Sequence, residues 1–433
     1  MKRVLSLLII AAFVIIPVLG FATGSGETKA TPTKLKVLVL YWDENRRVMH
    51  KDYYLQNVKK DLPNYDVEFE LGASDSGTYL AKLRTYLSAG DMPDVFFSVG
   101  TSSVSPLLKA KALLPFEKYL YDDGFAKRFK NIEKYKAPDG HIYALEAGWD
   151  FYFGTVIYYN IDLFDKAGIS VPKSWDEFVA ACTKLLAQGI TPFAVPAKEY
   201  WGNTHLWDMA VYAEDPKAVE NLVNRKVKIT DPVFLNAAKR IRQLYEAKAF
   251  QEGATNYNWA DTDAYFRAQK AAMLLIQTWS LFTYVSGADP IKFNFSYMTI
   301  PPAKPNLDLS RTYPLHYDPL LGFSISATTK HPKEAVKLLE WLIEQDAKWG
   351  LEKAKMPVAL DVGIKMEGMH PLAVKWVNDI SSADYIYSEF GNHFDSETIN
   401  EFTILVQKLI NGDILPEAFI QEAAKTFDKY DKK

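Results

Sequence analysis

The chain has 433 residues, 48% of them hydrophobic, and a formal net charge of −3. That length buries a sizeable core and admits two or three domains, while the near-neutral balance speaks against a nucleic-acid partner, which would want a basic patch. Aromatic residues reach 14%, with 10 Trp and 25 Tyr; most must fill the core, and the surplus suits a ligand with apolar faces, such as the C–H faces of a sugar.

Lys2 and Arg3 precede an apolar run, Val4 to Leu19, followed by small residues at Gly20, Ala22 and Gly24. This is the pattern of a secretory signal, residues 1–22, cut near Ala22. Residues 23–33 read as a flexible linker. An uncleaved anchor is the alternative, since the run approaches the ~20 residues a spanning helix needs. The one cysteine, Cys182, permits no disulfide within the chain. No cysteine follows the signal to carry a lipid, so the mature protein is expected free in the periplasm.

Leu35 to Tyr41 reads as a strand, polar on one face at its start and buried at its end, and Trp42-Asp43-Glu44-Asn45 is its loop. A helix over about Arg46 to Lys60 crosses back to a second alternating strand, Tyr65 to Leu71. Its loop carries Ser74 and Asp75. A helix through Leu80, Leu83 and Leu87 stops at Gly90, and Val95 to Val99 is the third strand. Strand–helix–strand repetition predicts a parallel sheet with right-handed crossovers. Ligands of such sheets sit outside the strands' carboxyl ends, which points at Trp42, Asp43 and Glu44, at Ser74 and Asp75, and at Ser98 to Ser102.

A second unit begins near Trp149. Its strands are Val156 to Tyr159, Pro192 to Val195 and Ala272 to Gln277. Their loops hold Asn160, then Glu199 to Asn203, then Thr278 to Ser280. Ser174 with Glu177 forms a capping box ahead of a helix that buries Trp175, Phe178, Val179, Cys182, Leu185 and Leu186 on one face. Thr204 to Phe250 reads as one helical stretch and Phe293 to Ile300 alternates. Pro305 to Pro319 is loop-like, Leu321 to Ser326 is a strand, Pro332 opens a helix, and the chain beyond Asp361 reads as helices.

The seven histidines are isolated. No Cys-x-x-Cys, phosphate-cradling Gly-rich loop or Gly-x-Ser-x-Gly elbow occurs, so neither a metal, a cofactor nor a covalent hydrolase is expected. Tyr158-Tyr159 could supply two phenolates to iron(III), but adjacent residues of a strand point to opposite faces. A glycoside hydrolase needs two carboxyl groups across a sugar, and Asp43, Glu44, Asp75 and Asp150 are available. Binding is favoured by the mix: Trp42, Trp149, Trp201 and Trp279 all fall in strand-end loops beside a carboxylate or amide such as Asp150 or Asn203. Carbohydrate recognition wants that pairing of plate and acceptor.

Several blocks carry a resemblance: Ala89 to Val95, Asp139 to Leu145, Tyr158 to Ile169, Pro172 to Phe178, Gly322 to Leu342 and Leu409 to Phe419. Together they resemble the extracellular solute-binding proteins of ATP-driven importers, most closely the carbohydrate-binding branch. The resemblance implies an α/β fold of the two-lobed periplasmic binding-protein type, class II. Each lobe is a mixed sheet flanked by helices, and the ligand lies in a cleft that closes by hinge motion. Residues 34–143 plus 295–351 would form the first lobe and 144–294 plus 352–433 the second. The chain would cross near Ala144 to Gly148 and again over Gly287 to Ile300. The resemblance further implies that Trp279 and Trp201 stack on the sugar, that Trp42 and Asp43 make a polar contact, and that Trp149 and Asp150 stand at another contact place. Glycines that often precede the first of these indoles are replaced here by Gln277 and Thr278. The partner implied is the membrane permease of an importer; the protein is expected to be a monomer and not an enzyme. The same fold carrying a polyamine, a peptide or a metal chelate is one alternative, and a secreted carbohydrate-active enzyme is the other.

Overall fold

The computed structural model describes residues 31–41, 44–73, 75–148, 153–287, 289–315 and 318–431. The expected signal, most of the expected linker, and Trp42, Asp43, Ser74, Trp149 and Asp150 lie outside these. In chain order the strands are β1 (Thr33–Val39), β2 (Tyr65–Leu71), β3 (Val95–Val99), β4 (Thr155–Asn160), β5 (Thr191–Ala194), β6 (Ala271–Gln277), β7 (Phe295–Met298), β8 (Thr312–Leu315), β9 (Leu321–Ile325) and β10 (Tyr385–Ser388).

The first sheet has the order β2-β1-β3-β9, with β1 parallel to β2 and β3, and β9 returning antiparallel to β3. The second has the order β5-β6-β4-β7, with β5 and β6 parallel and β4 antiparallel to both its neighbours. Both sheets are therefore mixed. Their central strands are apolar at consecutive positions because helices cover both faces: all seven residues of β6 are buried. At the edge, β2 alternates instead, with its glutamates Glu68 and Glu70 between Val67, Phe69 and Leu71.

The second sheet separates two cores. Val156, Tyr158, Leu274 and Ile276 join the hydrophobic cluster that also holds the first sheet. Ile157, Phe193, Met273 and Leu275 join a second cluster around Trp207 and the C-terminal helices. Tyr159 packs against that second cluster while Tyr158 sits in the first, so the adjacent phenols diverge as the strand period requires. Cys182 is buried in the second cluster, and burial pushes its thiol up to about 12, the state of a packing residue.

Local signals act as the physics of helix ends prescribes. Asp75 caps the helix Ser76–Ala89, accepting from the Thr78 N–H at 2.8 Å, and Gly90 ends it at φ +68°. Ser174 accepts from the Glu177 N–H ahead of Trp175–Ala187. The returning Glu177 carboxylate takes the N–H of Lys173 at 2.7 Å. The first crossover helix, Glu44–Met49 and Gln56–Asp61, has a π-turn over His50–Leu55 between its halves.

Several expectations are corrected. The expected single helical stretch from Thr204 is three helices, Tyr200–Glu214, Ala218–Val223 and Pro232–Glu246, with Arg225 between the last two at φ +57°. The expected loop 305–319 contains β8, which pairs in parallel with β10 inside the expected all-helical C-terminal region. The boundary set at residue 295 also moves, because β7 hydrogen-bonds to β4 and so belongs to the second sheet. Between the two sheet-based units the chain crosses three times: over residues 144–154, 299–320 and 350–370. The first and third crossings are stitched together, as the Ala359 N–H donates to the Ala147 carbonyl at 2.9 Å.

Candidate functional site

Strand ends and helix starts from the two units face one another across a cleft of about 1170 Å³, part of it open to solvent. The first unit contributes Leu40, Phe97 and Val99 from strand ends, Arg46 from the crossover helix, and Asp75 and Ser76 from the start of the next. The second contributes Glu199, Tyr200, Trp201, His205, Trp259, Gln277, Trp279 and Thr283. Glu146 and Phe153 on the first crossing, Leu321 at the start of β9, and Trp349 and Met356 near the third crossing complete the wall.

Three indoles share one design. Trp259 and Trp279 are the first residues of the helices Trp259–Arg267 and Trp279–Ser286, and Trp201 is the second of Tyr200–Glu214. The expectation placed Trp201 and Trp279 in loops; both stand in the first helical turn. Trp259 and Trp279 meet edge to face, centroids 4.8 Å apart, while Trp201 leans on His205 at 5.4 Å. An Asn258–Asp261 capping box fixes the start of the Trp259 helix. At Trp279 the two residues that replace glycines do the anchoring. The Gly154 N–H donates to the Thr278 hydroxyl oxygen at 3.0 Å, and the Gln277 amide donates to both carboxylate oxygens of Glu389, at 2.9 and 3.0 Å.

Behind that amide lies a buried polar layer. Glu389 also accepts from Thr155 Oγ1 at 2.6 Å and faces His205 Nε2 at 3.5 Å. Asp208 accepts from the Phe390 N–H, and burial followed by the Glu389 charge holds its carboxyl well above the usual range. Buried carboxylates with satisfied partners fix the side chains in front of them.

Two contacts join the units across the opening. The Ser76 hydroxyl donates to Glu199 Oε2 at 2.8 Å, and the Tyr200 hydroxyl donates to the Val99 carbonyl at 3.3 Å. Burial, with the Asp75 charge adding to it, raises the Glu199 carboxyl above the usual range; the Ser76 bond and the Trp259 N–H oppose that rise. On the facing side Arg46 is held by Asp346 at 3.1 Å, and Tyr54 hydroxyl shares the same carboxylate.

Of the expected site residues, Asp75, Trp201 and Trp279 line the cleft. Three others do not. Ser98 is buried with its hydroxyl 2.6 Å from that of Ser324; the strand period sends it away from the cleft that its neighbours Phe97 and Val99 line. Asn203 is buried and donates to the carbonyls of Ala197 and Glu199, which shapes the turn carrying Glu199. Glu44 is exposed on the first crossover helix and accepts from Arg47. Trp349 also lines the cleft, whereas Trp175 packs as expected and bonds Gln243, and Trp341 packs and bonds Asp61. Trp259, which the sequence did not single out, joins Trp201, Trp279 and Trp349 in the cleft. Among the described residues no cluster of His, Cys, Asp or Glu has metal-holding geometry.

Against known proteins, residues 49–349 match the family model described as bacterial extracellular solute-binding protein. The chain is 25% identical to an uncharacterized ABC transporter extracellular-binding protein of Pyrococcus horikoshii, over 97% of this chain and 90% of that one. It is also 25% identical to the multiple sugar-binding protein of Streptococcus mutans, over 86% of each. A solved chitin oligosaccharide binding protein superimposes with a TM-score of 0.79 over 93% of this chain and all of that one, at 23% identity. The matched model spans more than half of the sequence, and the two mixed-sheet units facing one cleft are the fold of these neighbours: the chain belongs to the bacterial extracellular solute-binding protein family.

Proposed function

We propose that the protein captures a carbohydrate outside the cytoplasm, closes its two lobes around it, and delivers it to the membrane permease of an ATP-binding cassette importer. One observation carries this reading: three half-buried or buried indoles stand in the first turns of three helices around a single cleft, with the carboxylates of Asp75 and Glu199 and the amide of Gln277 between them. Flat apolar plates and fixed hydrogen-bonding groups in one concavity suit a ring with two C–H faces and an equatorial belt of hydroxyls. Names of relatives point the same way, since those with an assigned ligand include a multiple sugar-binding protein.

The lobes would be the unit of β1 to β3 with β9, and the unit of β4 to β7 with the C-terminal helices. The chain would act as a monomer in the periplasm after removal of residues 1–22, with no catalysis of its own. Among the described residues no helix is long and apolar enough to cross a membrane. Titration calorimetry against a panel of mono- and oligosaccharides tests the reading. A saturable, stoichiometric heat with at least one glycan is expected. Turnover of an oligosaccharide at catalytic protein concentration, or tight binding of a polyamine or peptide with no glycan bound, would overturn it.

A further inference from the structure

The charges around the cleft are lopsided. Asp75, Glu146 and Glu199 line it, and Arg46 is the one guanidinium among its described lining residues. That guanidinium is already matched by Asp346, which lies behind it and is 1% exposed. His205 backs onto Glu389. The carboxylates come from different elements and from both sides. Asp75 starts a helix of the first unit, Glu199 precedes a helix of the second, and Glu146 sits on the crossing, held by Tyr135 and by the Gly148 N–H. Asp75 is near enough to Glu199 for its charge to add to the rise in the Glu199 pKa.

Resting on the carbohydrate reading, we infer that the cleft selects uncharged glycans and rejects those bearing a carboxylate. A hydroxyl brings a donor to a carboxylate oxygen and keeps its own oxygen as an acceptor, so a neutral sugar meets the wall with complementary groups. A uronate brings acceptors only. It would be desolvated between Asp75 and Glu199, where a like charge is penalised far more than in water. Closure of the lobes deepens that penalty, because it shortens the distance to both carboxylates at once.

The test uses the mature protein and matched pairs of oligosaccharides of equal length and linkage, one neutral and one carrying a single uronic acid, titrated in low and in high salt. The neutral member should bind at least a hundredfold more tightly at low salt, with the gap narrowing as salt rises. The variant Asp75→Asn/Glu199→Gln should shrink the ratio of the two affinities to within about tenfold. Both changes keep the hydrogen bonds of these side chains, since asparagine still caps a helix and glutamine still accepts from Ser76. Melting temperatures establish that the variant is folded, and the wild-type comparison stands without it. Equal or tighter binding of the uronate member would overturn the inference while leaving the carbohydrate reading intact. Binding of neither member of any pair would overturn both.

Discussion

Trp201, Trp259 and Trp279 differ from Trp175, Trp207 and Trp376 in exposure and in what confronts them: the second group is fully buried in protein, and the first faces the cleft. Truncating a stacking platform should therefore cost binding, and truncating a core indole should cost folding. Trp279→Ala is expected to lose about 2–4 kcal/mol of ligand affinity, roughly thirty- to a thousandfold, with Trp279→Phe retaining much of it because a ring still stacks. Trp175→Ala should leave affinity unchanged and destabilise the protein by about 3–5 kcal/mol. Calorimetry beside thermal melts separates the outcomes; unchanged affinity in Trp279→Ala with a lowered melting temperature would make that indole a core residue. What could be read of the site from the residues follows the same division. Trp201 and Trp279 were visible because each follows a strand that the apolar pattern marks. Arg46 was not, because the Asp346 that holds it is 300 residues away in sequence, and no local pattern reports such a pairing. Ser98 was misplaced because strand-end position alone does not say which face a side chain takes.

At the level of elements, period and punctuation were legible to within a few residues wherever one face of a helix or strand is buried. β1, β2, β3 and β6 follow the expected runs, Ser174 and Gly90 act as the expected cap and stop, and Asp75, expected in a loop, caps a helix. The short edge strands escaped, since β8 and β10 have four residues each and pair with one another rather than with a large sheet. β7 was found but assigned to the wrong unit, because partner choice is a long-range property. The contact between the first crossing and β9 carries a constraint no pattern shows. Gly322 lies at φ +127°, and a Cβ there would stand 2.5 Å from the Leu145 carbonyl carbon. The Leu145 and Phe323 backbones exchange two hydrogen bonds at 3.0 and 2.8 Å. Gly322→Ala should break that pairing and destabilise the chain by more than ~1 kcal/mol. Gly363→Ala, where nothing stands within 4 Å but φ is +69°, should cost only the backbone strain. Chemical denaturation of the two variants would rank them, and an equal loss would remove the clash from the account.

For the molecule as a whole, the pair Ser76–Glu199 joins the two units across the cleft, so the state of one carboxyl bears on closure. With the two units bridged as in this structure, Glu199 is buried, Asp75 adds repulsion, and Lys198, Ser76 and the Trp259 N–H give partial relief. Opening the cleft would return it to water and to an ordinary carboxyl pKa. At pH values between the ordinary and the raised pKa, the closed form thus binds more protons than the open form. By linkage, closure is then favoured below the ordinary glutamate pKa and loses that advantage as pH rises through the raised value. The same sign applies to ligand affinity, because the ligand binds the closed form. In the absence of ligand, the radius of gyration from small-angle scattering should fall on acidification from pH 8 toward pH 4.5, before any loss of secondary structure. Glu199→Gln, which is neutral throughout and still accepts from Ser76, should flatten that profile at its compact end. A profile that stays steep in Glu199→Gln would assign the titration to another group, and one that slopes the opposite way in the wild type would mean that the carboxylate is better solvated in the closed cleft than in the open one.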